Sequence, residues 1–157
     1  EPLTLALFDI DHFKLVNDEH GHFIGDAVLK EIARLFQSSI EDGMLASRFG
    51  GEEFALLMPG SDIERAAVIV EGILDKLAKT PMKLDALTIP ITASAGLIAV
   101  EDEESWGAAY IACDEALYDA KTSGRNRFVI NNRKPHRGSA RMQANVDGKV
   151  IRKPVVN

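Results

Sequence analysis

Cysteine is nearly absent: Cys113 stands alone, so no internal disulfide and no cysteine-based metal cluster can form. It falls among alanines in a helical pattern, which reads as a small buried side chain. No apolar run approaches the roughly 18 residues a membrane helix needs, and no signal-peptide pattern opens the chain. A cytoplasmic domain is expected, with any membrane anchor carried by parts of a longer parent. The four histidines, His12, His20, His22 and His136, show no metal-ligand spacing on a shared helical face.

Positive charge is scarce where it would matter for nucleic acid. Residues 1–132 hold 11 Lys and Arg against 23 Asp and Glu, a net of −12. Residues 133–157 hold 7 against Asp147 alone, a net of +6, which leaves −6 overall. Duplex binding draws heavily on phosphate neutralisation, so an acidic body makes a poor general nucleic-acid binder. What remains is 157 residues with 46% hydrophobic content, enough for one domain with a real core. The domain is expected over 1–132. The basic tail 133–157 is expected to be flexible, or a docking arm for an acidic partner or anionic lipid.

The elements follow from periodicity. "LTLALFDID" (3–11) predicts a buried strand ending in acids, and 12–26 a polar segment with a short helix. Val28, Ile32, Leu35 and Phe36 predict a helix over 26–40 with Asp26 as its cap. "MLASRF" and "FALLMP" predict two strands joined by a glycine–glutamate tip. A helix over 61–79 is expected to be capped by Ser61, with Glu64 completing a capping box. A strand over 87–100 has Pro90 at an irregular start, a helix over 104–124 stops at Gly124, and "RFVI" closes as a strand. This order begins with a βαββαβ unit and predicts an α+β sandwich: a mostly antiparallel sheet with helices packed on one face.

In that topology Asp9 approaches Glu52 and Glu53. Asp9 and Asp11, two apart at a strand end, point to one side, so four carboxylates are available at one end of the sheet. Such oxygen donors suit magnesium or manganese, and two ions about 4 Å apart would clamp a nucleophile and a phosphate leaving group. Gly50 and Gly51 would then allow a tight turn and close approach of a phosphate-bearing ligand. A solvated acidic turn is the competing reading. Lys121 and Arg125 end the last helix, where basic residues complement the helix dipole or clamp a phosphate.

"RFGGEEF" with "FDIDHFKLVNDEHGHFIGDAVL" (8–29) and "ALYDAKTSGRNRF" (116–128) resembles the GGDEF family of diguanylate cyclases, with Glu in the third signature place. The three motifs occur in family order and anchor residues 3–130 to a nucleotide-cyclase-like palm. The resemblance implies that Asp9, the Ile10 carbonyl, Glu52 and Glu53 ligate Mg²⁺ or Mn²⁺. It implies that Glu52 is the base for an attacking 3′-hydroxyl. Asn17 and Asp26 would read guanine, His22 would line the substrate site, and Lys121 and Arg125 would hold the terminal phosphates of GTP. A carboxylate at Asp26 favours guanine because it can accept from N1 and N2. The implied reaction condenses two GTP into cyclic di-GMP and two pyrophosphates across a homodimer. A sensory or regulatory domain is expected in the parent, and no nucleic acid or membrane partner for this fragment. The alternative is a silent regulatory module that binds GTP or cyclic di-GMP. Two features depart from the family. Glu41 and Met44 stand where many members carry an inhibitory Arg-x-x-Asp product site, and the usual Asp-x-Leu-Thr lead-in is not seen.

Overall fold

A computed structural model describes residues 1–132, so the tail expected over 133–157 lies outside the described residues. Strands β1 (Leu3–Ile10), β2 (Leu45–Gly50), β3 (Glu53–Pro59), β6 (Ala93–Ala99) and β7 (Phe128–Ile130) form one sheet in the order β2-β3-β1-β6-β7. β1 is central and antiparallel to both β3 and β6, while β7 runs parallel to β6. β4 (Met82–Leu84) and β5 (Leu87–Ile89) form a separate small hairpin. The continuous strand expected over 87–100 is therefore two. Pro90 offers no N–H to a ladder, and the chain leaves one sheet there before entering the other.

Helices cover both faces of the sheet, not one. Alternation along β1 decides this. Ala6, Phe8 and Ile10 pack in the larger core with α1 (Phe13–His20), α2 (His22–Ser39) and α3 (Ile63–Lys79). Leu5 and Leu7 pack in a smaller core against Ala112, Cys113 and Leu117 of α4 (Trp106–Thr122). α2 begins four residues before Asp26, because Gly21 at φ 85 ends α1 and lets the chain turn directly into the next helix. Asp26 thus sits inside the helix and caps nothing. At α3 the cap is Asp62, whose carboxylate accepts from Arg65 N–H, while Ser61 is buried and accepts from the Thr4 hydroxyl through its carbonyl.

An aromatic trio sits beneath the end of the sheet that carries the acids. Phe8 of β1 meets Phe36 of α2 edge-on with centroids 4.8 Å apart, and Phe36 stacks on Phe54 of β3 at 4.9 Å. Each such pair contributes about 0.5–1.5 kcal/mol beyond burial, so α2 fixes the neighbouring ends of β1 and β3 together. On the opposite face α4 approaches closely over Gly96. A Cβ there would lie 2.3 Å from the Cys113 carbonyl oxygen and from Leu117 N.

Cys113 is fully buried as expected, with its thiol donating to the Gly96 carbonyl at 3.1 Å. Burial pushes the thiol well above its ordinary range. Ellman's reagent at pH 8 should leave it unlabelled in the native protein and label it fully in denaturant. The folded state holds this proton longer than the unfolded chain, so the associated stability is complete below about pH 8.5 and falls as pH rises beyond. Urea midpoints between pH 8 and 10 measure that fall, at most about 1.4 kcal/mol per pH unit.

Candidate active site

The site forms where β1 ends beside the β2–β3 turn. Asp9 and Glu53 are direct register partners across β1 and β3, 2% and 7% exposed. Pairing continues one step further, with Ile10 N–H donating to the Glu52 carbonyl at 3.1 Å. The turn bearing Glu52 is thereby tied to the central strand, while the Glu52 side chain remains half-buried at the opening. Arg48 braces the turn from outside, its Nε donating to the Gly51 carbonyl at 3.0 Å.

Lys121 reaches in from the last turn of α4. Its Nζ lies 2.5 Å from Asp9 Oδ1, joining residues 112 positions apart in a pair only 11% and 2% exposed. Two buried carboxylates side by side require compensating charge, and the ammonium supplies it here. Helix-dipole complementation alone therefore does not describe this lysine. Arg125 follows a glycine-terminated helix end, in which Arg125 N–H closes onto the Ala120 carbonyl at 3.0 Å. Its Nε is buried and makes no hydrogen bond among the described residues. A buried guanidinium donor in that state suits an anionic ligand.

Asp11 corrects the expectation of four available carboxylates. It is buried, with Oδ1 accepting from the Ser94 hydroxyl at 2.7 Å. Oδ2 accepts from the Thr92 hydroxyl at 2.8 Å and from Asn126 N–H at 3.0 Å. Its lone pairs already serve the fold. Among the described residues no three His, Cys, Asp or Glu side chains form a ready metal cage. The donor set nevertheless fits magnesium, which takes one or two carboxylates and completes its shell with phosphate oxygens and water. Asp9 and Glu53 are two such oxygen donors, adjacent and buried.

Asn17, His22 and Asp26 lie on the α1–α2 pair, which leaves β1 just beyond the acids; His22 and Asp26 are exposed one turn apart on α2. The residue that sequence reasoning missed is Gly25. A Cβ there would fall 1.9 Å from Asn17 Oδ1 and 3.2 Å from Phe13 Cζ. Gly25 lies one residue before the helix expected over 26–40 and so reads as loop punctuation, whereas the structure places it inside α2.

Of the two reasons expected for Gly50 and Gly51, the tight turn does not hold and the room for a ligand is left. Neither adopts a positive φ, so the turn does not require glycine for its conformation. A Cβ at Gly51 would meet nothing within 4 Å. The chain itself gives no reason for glycine at 51, leaving room for a ligand as the physical explanation. Gly51→Ala should shift unfolding free energy by less than about 0.5 kcal/mol while weakening GTP binding several-fold. Unchanged affinity by calorimetry would remove the ligand-room explanation.

At the expected position of the inhibitory product site, Glu41 forms an ion pair with Arg65 of α3 and Met44 is buried. Neither side chain resembles the Arg–Asp pair in charge or role. Among the described residues no helix is long and apolar enough to cross a membrane.

Residues 1–127 match the family described as diguanylate cyclase, GGDEF domain. Diguanylate cyclase DgcP of Pseudomonas aeruginosa is 40% identical over 128 residues, covering 82% of this chain and 19% of that protein. Diguanylate cyclase VdcA of Vibrio cholerae is 37% identical over 132 residues, covering 82% and 39%. The chain thus spans less than half the length of either relative. Among solved structures, the active GGEEF domain of a diguanylate cyclase from Vibrio cholerae matches with a TM-score of 0.78 at 37% identity, over 85% of each chain. The GGDEF domain of DgcB from Caulobacter crescentus, in complex with c-di-GMP, matches with a TM-score of 0.79 at 32% identity, over 84% of this chain and 79% of that one. The sheet order, the acidic strand end and these matches agree: the chain belongs to the GGDEF family of diguanylate cyclase domains.

Proposed function

We propose that this domain condenses two GTP into cyclic di-GMP and two pyrophosphates, with Mg²⁺ or Mn²⁺, where two copies face each other. The observation that carries this is the buried contact of Lys121 with Asp9, beside Glu53 and below an intact "GGEEF" turn. It joins the acidic and basic motifs into one centre, as phosphoryl transfer requires.

Asp9, Glu53, the carboxylate of Glu52 and the Ile10 carbonyl would hold the cation, which when bound stabilises charge on the phosphate oxygens. Lys121 and Arg125 hold the β- and γ-phosphates, and at the guanine edge beside His22 Asp26 accepts from the base while the Asn17 amide hydrogen-bonds it. Glu52 takes the proton of the 3′-hydroxyl as that oxygen bonds to the α-phosphorus of the facing GTP. The bond from that phosphorus to the β-phosphate breaks, and pyrophosphate leaves. Each domain positions one nucleotide, and each nucleotide is both attacker and target. A two-fold arrangement follows, because the same groups must meet twice.

Incubation of the chain with GTP and Mg²⁺, read by product chromatography, tests the proposal. Cyclic di-GMP should appear at a rate per domain that rises with protein concentration. A rate independent of concentration would sink the two-fold scheme. GTP binding without product would assign a silent regulatory module instead. Added cyclic di-GMP should not inhibit through residues 41–44, since Glu41 and Met44 lack the Arg–Asp pair. Inhibition that disappears in the Glu41→Ala/Met44→Ala variant would refute this.

A further inference from the structure

The cation that meets the triphosphate is borne on a turn the chain would not adopt unaided. Gly124, Arg125 and Asn126 all have positive φ, at 129, 63 and 46 degrees. Left-handed backbone at two consecutive non-glycine residues is costly and persists only where surroundings hold it. Two holds are local, from Arg125 N–H to the Ala120 carbonyl of α4 at 3.0 Å and, on the exposed side, from Arg127 Nε to the Arg125 carbonyl at 3.0 Å. The third comes from across the sheet, where Asn126 N–H donates to Asp11 Oδ2 at 3.0 Å.

Asp11 is well suited to that task because it is itself buried and held on several sides. Its backbone N–H donates to the Thr92 carbonyl at 2.9 Å, and the hydroxyls of Thr92 and Ser94 engage both carboxylate oxygens. The carboxylate is 5% exposed and Ser94 is fully buried. The end of β1 and the start of β6 are therefore tied together through Asp11, with one of its acceptors directed at the turn. Charge-assisted bonds of this kind are stronger than neutral ones.

We propose that Asp11 is a positioning residue, whose carboxylate fixes the 124–126 turn and so aims Arg125 at the β- and γ-phosphates. The inference rests on the reading of Arg125 as a phosphate ligand. It gives Asp11 a task distinct from that of Asp9, although both acids end the same strand. Asp11 touches neither substrate nor reacting atoms. It acts through Arg125.

A double-mutant cycle separates the two readings. Calorimetry on the whole chain measures binding of GMP and of a GTP analogue with a methylene bridge between the α- and β-phosphorus. Arg125→Ala should weaken the analogue about tenfold or more and leave GMP unchanged; failure here removes the phosphate reading of Arg125. Asp11→Ala should likewise weaken the analogue and spare GMP, and the double variant should bind no more weakly than Arg125→Ala alone, within about twofold. Asp11→Asn should restore most of the affinity, since its amide oxygen still accepts from Asn126 N–H while its NH₂ faces the Ser94 hydroxyl. Independent losses that multiply in the double variant, or equal weakening of GMP, would overturn the role of Asp11. If circular dichroism shows Asp11→Ala unfolded, Ser94→Ala, which removes one anchor of the same carboxylate, takes its place in the cycle under the same criteria.

Discussion

Glu52→Gln should lower cyclic di-GMP formation by about 10²–10⁴-fold, the usual range for losing a positioned general base. Substrate binding should stay within about threefold of the parent, because the residues proposed to hold the base and the phosphates lie elsewhere. The substitution keeps the shape of the side chain and the backbone bond from Ile10 N–H to the Glu52 carbonyl. The turn should therefore stay in place, and the melting temperature should move little. Initial rates of product release, measured with saturating GTP and Mg²⁺, provide the test. Equal product from both proteins would assign the base to another group.

The second large effect is structural. Gly96→Val should destabilise the domain by about 1–3 kcal/mol, the usual range for overpacking a filled site. A Cβ at 96 meets Cys113 O and Leu117 N at 2.3 Å and Ala116 C at 3.0 Å, all backbone atoms of α4. Backbone cannot step aside as the end of a flexible side chain does, so the helix must move away from the sheet. That movement carries Lys121 away from Asp9, and GTP affinity should fall together with stability. Gly96→Ala should show the same loss in smaller measure. Denaturant unfolding and calorimetry read the two effects, and a Gly96→Ala protein as stable as the parent would show that α4 can be relieved without cost.

Gly96 and Gly51 illustrate opposite uses of one residue type. Both are single letters in a strand or turn pattern, and nothing in the letters separates them. At 96 the space is filled by the helix backbone; at 51 it is open. Sequence periodicity marked the five strands of the main sheet and the longer helices because apolar side chains alternate or recur along them. It missed β4 and merged β5 with β6 into one strand over 87–100, because the β-branched run continues through Pro90 where the chain changes sheets. It placed the helices on one face because connection order alone does not say over which face a helix crosses. The alternation of Leu5 and Leu7 against Ala6 and Phe8 settles that only once partners are known.

The acids divide in the same way. "FDID" and "GGEEF" announce carboxylates at a strand end and a turn, and their residue types favour hard cations. Family membership was legible in those motifs and their order, and the family match confirms it. The division of labour was not legible. Asp9 meets Lys121 and lies beside Glu53, while Asp11, two residues on, is taken up by Ser94, Thr92 and Asn126. Every one of those contacts joins residues more than 40 positions apart in the chain. Sequence by itself determined which chemical groups the protein has, and that the strand end and the turn would be acidic. Only the tertiary structure decided which acid faces a cation and which is spent holding a turn, because that depends on which backbone and hydroxyl donors the folded sheet brings within about 3 Å of each carboxylate.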